Sequence, residues 1–113
     1  MNKNYIKNID AETALTLVDL VSYQIGQIVS RTLAQNKAVS ITLFAFDKNE
    51  EISSHDSNGD AMIIILDGES EITIDGKKYI VKKGEIIVMP AQKPHAVYAK
   101  EQFKMLLTVV FPQ

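Results

Sequence analysis

The chain of 113 residues is long enough for one domain, burying roughly 60–70% of the surface it exposes when unfolded. Its 46% hydrophobic and 23% charged residues are ordinary for a globular protein, and 12 basic against 14 acidic side chains leave a net charge of −2. That balance argues against the basic face that nucleic-acid binding needs, and the lack of cysteine removes disulfides, thiolate metal sites and cysteine nucleophiles together.

The first stretch, residues 1–26, has a pattern that leaves two structures open. Thr13 to Val21 fits an amphipathic helix or an extended arm, packed on the barrel or on a dimer partner. Its β-branched content and the Leu15-Thr-Leu17 alternation favour the extended form. Asp10, Glu12 and Asp19 interrupt the apolar stretch a signal peptide requires, and the run Met62–Leu66 is far short of a membrane span. The expectation is a cytoplasmic protein that touches no membrane.

From Gln27 onward the sequence reads as strand after strand. Val39 to Phe46 alternates, with Val39, Ile41, Leu43 and Ala45 on one face. Met62–Leu66 is a continuous apolar run, as expected of a strand buried on both faces. Asp67-Gly68 and Asp75-Gly76 precede apolar runs at Ser70–Ile74 and Tyr79–Val81. Each dipeptide reads as a hairpin, because Gly accepts the positive φ of a type I′ turn. Lys83-Gly84 marks a turn before Ile86–Met89, Pro90 and Pro94 bracket a loop, and Phe103–Phe111 supplies a last long strand. Such spacing predicts an all-β fold, a small antiparallel barrel or jelly roll over residues 27–113.

Charge is unevenly spread along these strands. From Asp47 to Asp75 there are nine acids and one lysine, and from Gly76 to Lys104 seven lysines and two acids. Oppositely charged strands paired across a sheet account for this most simply. A self-complementary dimer surface is the sharper alternative.

The sequence contains no Gly-rich phosphate loop, no Gly-x-Ser-x-Gly elbow and no His-Glu-x-x-His helix. Ser54, His55 and Asp56 do not assemble a triad, because neighbours on a strand face opposite sides. Two histidines remain. His55 lies just before the buried strand, and His95 follows Pro90 and Pro94.

Around these histidines the chain resembles the cupin superfamily, over Phe46 to Phe111. The family's first motif has His-x-His, a Glu four residues later and a Gly seven beyond it; here the positions hold His55-Asp56-Ser57, Ala61 and Gly68. The second has Gly, five residues, Pro-x-Gly, two residues, His, three residues and Asn. Here Gly84, Pro90, Gln92, His95 and Ala99 stand in step. Ser57, Ala61, Gln92 and Ala99 are the departures.

The resemblance implies a jelly-roll barrel, and in metal-loaded members a ligand set of two His and a Glu or Gln from the first motif plus a His from the second. Only His55 and His95 keep those positions. Two imidazoles and the Ser57 hydroxyl make a poor site for a first-row metal. Asp60, one residue before the Glu position, would complete a two-His-one-carboxylate set for Fe, Mn, Ni or Zn if a bulge turned it inward. Read simply, it is an outward acid beside the small inward Ala61.

Without a metal, His55 and His95 would anchor a small polar group or act as a general base. The surrounding pocket would be lined by Ser57, Ala61, Ile63 and Met105, with Phe44, Phe46 and Tyr98 as lids or simply as core. Three functions are then open: a small-molecule-binding domain, a metal-dependent oxygenase or isomerase, and a structural or regulatory barrel without a ligand. A homodimer is expected, the Leu15–Val18 arm and the Phe103–Phe111 strand covering exposed sheet edges. Fold-level resemblance names no substrate.

Overall fold

A computed structural model describes residues 5–113, so residues 1–4 of the arm lie outside the described residues. Among the described residues nine strands, all paired antiparallel, form two sheets. The first holds β1 (Ile28–Gln35), β2 (Val39–Phe46), β9 (Phe103–Val110), β4 (Asp60–Asp67) and β7 (Ile86–Met89), in that order. The second runs β3 (Glu51–His55), β8 (His95–Tyr98), β5 (Glu69–Ile74) and β6 (Lys77–Lys82). This is the all-β antiparallel architecture that the strand spacing predicts.

Alternation builds the core between the sheets. From β4, Ala61, Ile63 and Ile65 enter it at 3% exposure or less, while Met62 and Ile64 remain half-buried. Ile72 and Ile74 of β5 answer from the other sheet. At the closed end the Phe46 and Phe103 rings stack with centroids 4.5 Å apart.

The apolar face of β2 predicted from sequence turns out to be the outer one. Leu43 and Ala45 are nevertheless fully buried, because Leu17, Leu20, Val21 and Tyr23 lie over them. Leu17–Leu20 form a single 3₁₀ turn rather than an extended arm. The segment crosses the face of a sheet, not its edge, so no strand is available to keep it extended; Asp19 N–H closes the turn onto the Thr16 carbonyl at 3.0 Å. Earlier in the chain, Lys7 N–H donates to the Leu33 carbonyl of β1 at 2.7 Å. The last strand also lies elsewhere than expected. β9 is central, paired on both sides with β2 and β4, so it covers no edge.

The two Asp-Gly dipeptides do different work. Asp75 and Gly76, at φ 50° and 82°, join β5 to β6 in a two-residue hairpin. Asp67-Gly68 instead carries the chain from one sheet to the other, since β4 and β5 do not pair. Gly68 has φ 70°, and a Cβ there would collide with the Gln102 carbonyl. Charge pairing occurs across β5 and β6, where Lys78 meets Glu71 at 3.1 Å and Lys82 stands opposite Glu69. Among the described residues no helix is long and apolar enough to cross a membrane.

Candidate functional site

His55 and His95 face each other across the β3–β8 ladder as directly opposed residues. Their rings meet edge to face, with centroids 4.4 Å apart and an interplanar angle of 66°. A register shift between Ile52 and His55 makes this possible. Three residues apart on a regular strand, those two side chains would point to opposite faces. The irregularity adds one residue, reverses the parity and brings both onto the inner face.

Each ring is anchored in the same way. His55 Nδ1 donates to the Ser53 carbonyl at 3.0 Å, and His95 Nδ1 donates to the Lys93 carbonyl at 3.2 Å. A carbonyl oxygen can only accept, so Nδ1 carries the proton in both rings. The surroundings differ. His55 is exposed, while His95 is 5% exposed. Burial is the main influence on the His95 pKa; with His55 beside it, it lowers the value below the ordinary imidazole one, outweighing the Lys93 carbonyl and the Asp56 charge.

Both rings border a cavity of about 290 Å³ between the sheets. Ser57, Ala61, Ile63 and Met105 line it with them, and so do Phe44, Met89 and Phe111. Wider clefts of about 700 and 640 Å³ lie elsewhere on the surface, but they are shallow and bring no pair of imidazoles together. Ser57 sits in the loop after β3, where its hydroxyl accepts the Gly59 N–H at 3.1 Å and its carbonyl accepts the Gln92 N–H at 2.7 Å. The second bond ties the β3–β4 loop to the β7–β8 loop beside the cavity.

Asp60 lies outside this group. Its Oδ1 accepts the Ala91 N–H at 2.8 Å on the exposed side, and it does not line the cavity. Regular alternation from Ala61 keeps it outward. Among the described residues no three His, Asp or Glu side chains gather where one ion could reach them. Two imidazoles and a hydroxyl do not fit a resident transition metal.

Of the aromatic residues read as lids, only Phe44 borders the cavity. Phe46 is core, stacked on Phe103. The Tyr98 hydroxyl donates to Asn49 Oδ1 at 3.2 Å on the outer side of the second sheet. Gln35 and Ser40 also line the cavity, and sequence reasoning passed over both. The signal for Ser40 was present in the β2 alternation, whose second face carries Ser40, Thr42, Phe44 and Phe46.

Residues 42–111 match the family model described as Cupin domain. The solved structure of a conserved protein of unknown function from Streptococcus pyogenes is 50% identical, covers 98% of this chain and 97% of its own, and superposes with a TM-score of 0.96. A cupin superfamily protein from Desulfitobacterium hafniense is 36% identical over 95% of this chain and 98% of its own, with a TM-score of 0.90. A cupin 2 conserved barrel domain protein from Leptotrichia buccalis is 45% identical with a TM-score of 0.83; the match covers 85% of this chain and 47% of that longer one. No curated protein matches the chain.

Proposed function

The chain belongs to the cupin superfamily, and from that premise we propose that it is a small-molecule-binding domain whose ligand sits in the barrel cavity, held at its polar end by His55 and His95. The observation that carries this reading is the meeting of two imidazoles from separate strands at 4.4 Å beside an apolar cavity. A cavity of about 290 Å³ favours a ligand over a barrel that is only packed core. The donor set disfavours the metal-dependent enzyme, because Ala61 and Ser57 stand where carboxylate and imidazole ligands would be needed. The macromolecular partner we infer is a second copy of the chain.

A screen of small apolar alcohols and phenols, followed by the methyl resonances of Ala61, Ile63 and Met105, tests the proposal. His55→Ala and His95→Ala should each weaken any hit at least tenfold. His55→Ala should leave stability within about 0.5 kcal/mol of the parent, as for an exposed side chain. His95→Ala should cost about 1–3 kcal/mol, since it empties a buried position and strands the Lys93 carbonyl. Stoichiometric Fe, Mn, Ni or Zn in protein purified without chelator or nickel resin would overturn the reading in favour of a metal-dependent cupin.

A further inference from the structure

Resting on the ligand-binding reading, we infer that the site selects a neutral ligand whose polar end is a hydrogen-bond donor, a hydroxyl or an N–H, and rejects carboxylates and phosphates of the same shape.

The argument begins with the tautomers. Both Nδ1 atoms are committed to backbone carbonyls, at Ser53 and Lys93. In a neutral imidazole the second nitrogen then has a lone pair and no proton. Each ring, bordering the cavity, therefore keeps one free acceptor, Nε2, and neither Nε2 has a hydrogen-bond partner among the described residues. Two acceptors with ring centroids 4.4 Å apart cannot satisfy each other. A donor from a ligand would satisfy a lone pair there, and no side chain among the described residues supplies one.

The rest of the lining decides the ligand's charge. Among the described residues no Lys or Arg borders the cavity, nor does any Asp or Glu. An anion placed there would lose its hydration with no fixed cation to receive it, since an imidazole would first have to take up a proton, and burying an uncompensated charge costs several kcal/mol even after relaxation. The hydroxyls of Ser40 and Ser57 are neutral and do not replace that charge. An ammonium group would likewise lack a carboxylate inside the cavity. A neutral donor meets both lone pairs and leaves no buried charge uncompensated.

Size completes the description. At interior packing density, a cavity of about 290 Å³ accommodates about a dozen non-hydrogen atoms. With Ala61, Ile63, Met89 and Met105 along the walls, those atoms beyond the donor are apolar. The ligand class is a small phenol, apolar alcohol or apolar amide.

Three probes of nearly equal shape separate the possibilities: p-cresol (a donor), 4-methylanisole (an acceptor only) and p-toluate (an anion). They are titrated into the full chain at pH 8 and read by the Ala61, Ile63 and Met105 methyl resonances. Long-range ¹H–¹⁵N spectra of the imidazoles report the tautomers in the same samples. The expected result is protonated Nδ1 in both rings and at least tenfold tighter binding of p-cresol than of either companion. In His55→Phe, an exposed position that leaves the fold intact, the preference of p-cresol over 4-methylanisole should fall by at least threefold. A protonated Nε2 in either neutral ring, or equal binding of p-toluate or 4-methylanisole, would overturn donor selection while leaving the cavity as a ligand site. Failure of all three probes to shift any lining methyl would overturn the ligand-binding reading as well.

Discussion

Gln92 occupies the position where the second cupin motif has Gly, and the backbone still adopts the conformation that Gly favours, with φ 66°. Its N–H keeps a 2.7 Å bond to the Ser57 carbonyl, so the loop geometry survived the change of side chain. A non-glycine residue in the left-handed region costs about 1–2 kcal/mol. Replacing it by Gly adds unfolded-state entropy worth about 0.4–1 kcal/mol against folding. Relief of strain outweighs that entropy, so Gln92→Gly should stabilise the protein by about 0.5–1 kcal/mol, read as a higher urea midpoint at unchanged slope. Gly68→Ala provides the opposite case. There a positive φ combines with a carbonyl in the way, and the loss should exceed about 1 kcal/mol. If both substitutions moved stability in the same direction, backbone strain would not be what distinguishes the two turns.

The N-terminal segment behaves as an element defined by what it covers. Leu17, Leu20 and Val21 rest on Leu43 and Ala45, and the Tyr23 hydroxyl donates to Asp67 Oδ2 at 2.5 Å at the end of β4. Lys104 of β9 adds its ammonium over the Tyr23 ring and a 2.8 Å bond to the Val18 carbonyl. Burial first, then the bond to Asp67 and its charge, push the Tyr23 phenol above its ordinary pKa, which keeps it a donor at any physiological pH. A hydrogen bond to a charged partner contributes about 1.5–3 kcal/mol, so Tyr23→Phe should release that much of the segment's hold. Hydrogen exchange checks it: protection at residues 17–23 should drop while β4 and β9 stay protected. Uniform loss across the barrel would instead make the latch part of global stability. This element also marks where sequence reading runs out. Its apolar residues fit a helical and an extended period alike, and the surface beneath them decides between the two. The Asp75-Gly76 hairpin, in contrast, was legible from two residues, because a type I′ turn demands positive φ at both. Asp67-Gly68 carries the same signal yet serves a crossover between sheets, a distinction made only by tertiary pairing. His55 and His95 were legible through motif spacing, but the β3 irregularity that turns His55 inward has no sequence signature here. Gln35, on β1, reaches the cavity only once the sheets close.

Across the whole molecule, the outer face of the five-stranded sheet is half covered. Residues 17–23 protect its β1–β2 side, whereas Ile86 and Val88 of β7 and Val110 of β9 stand 55%, 53% and 59% exposed, with Met62 and Ile64 between them. The sheet edges point to what pairs with that face. Edge strand β3 and its flanks carry Glu50, Glu51 and Asp56, and edge strand β6 carries Lys77, Lys78 and Lys82. Like-with-like pairing of β3 or of β6 between two copies would set acid against acid or lysine against lysine, the arrangement edge charges guard against. An isologous contact through the apolar face meets no such repulsion, because one patch serves both subunits. The expected state is therefore a homodimer at micromolar concentration. Light scattering coupled to gel filtration should give twice the chain mass for the parent, and Val88→Glu should halve it by placing like charges at the centre of the contact. A parent that elutes as a strict monomer at these concentrations would remove the dimer. A dimer untouched by Val88→Glu but broken by substitutions in β6 would move the contact to a sheet edge.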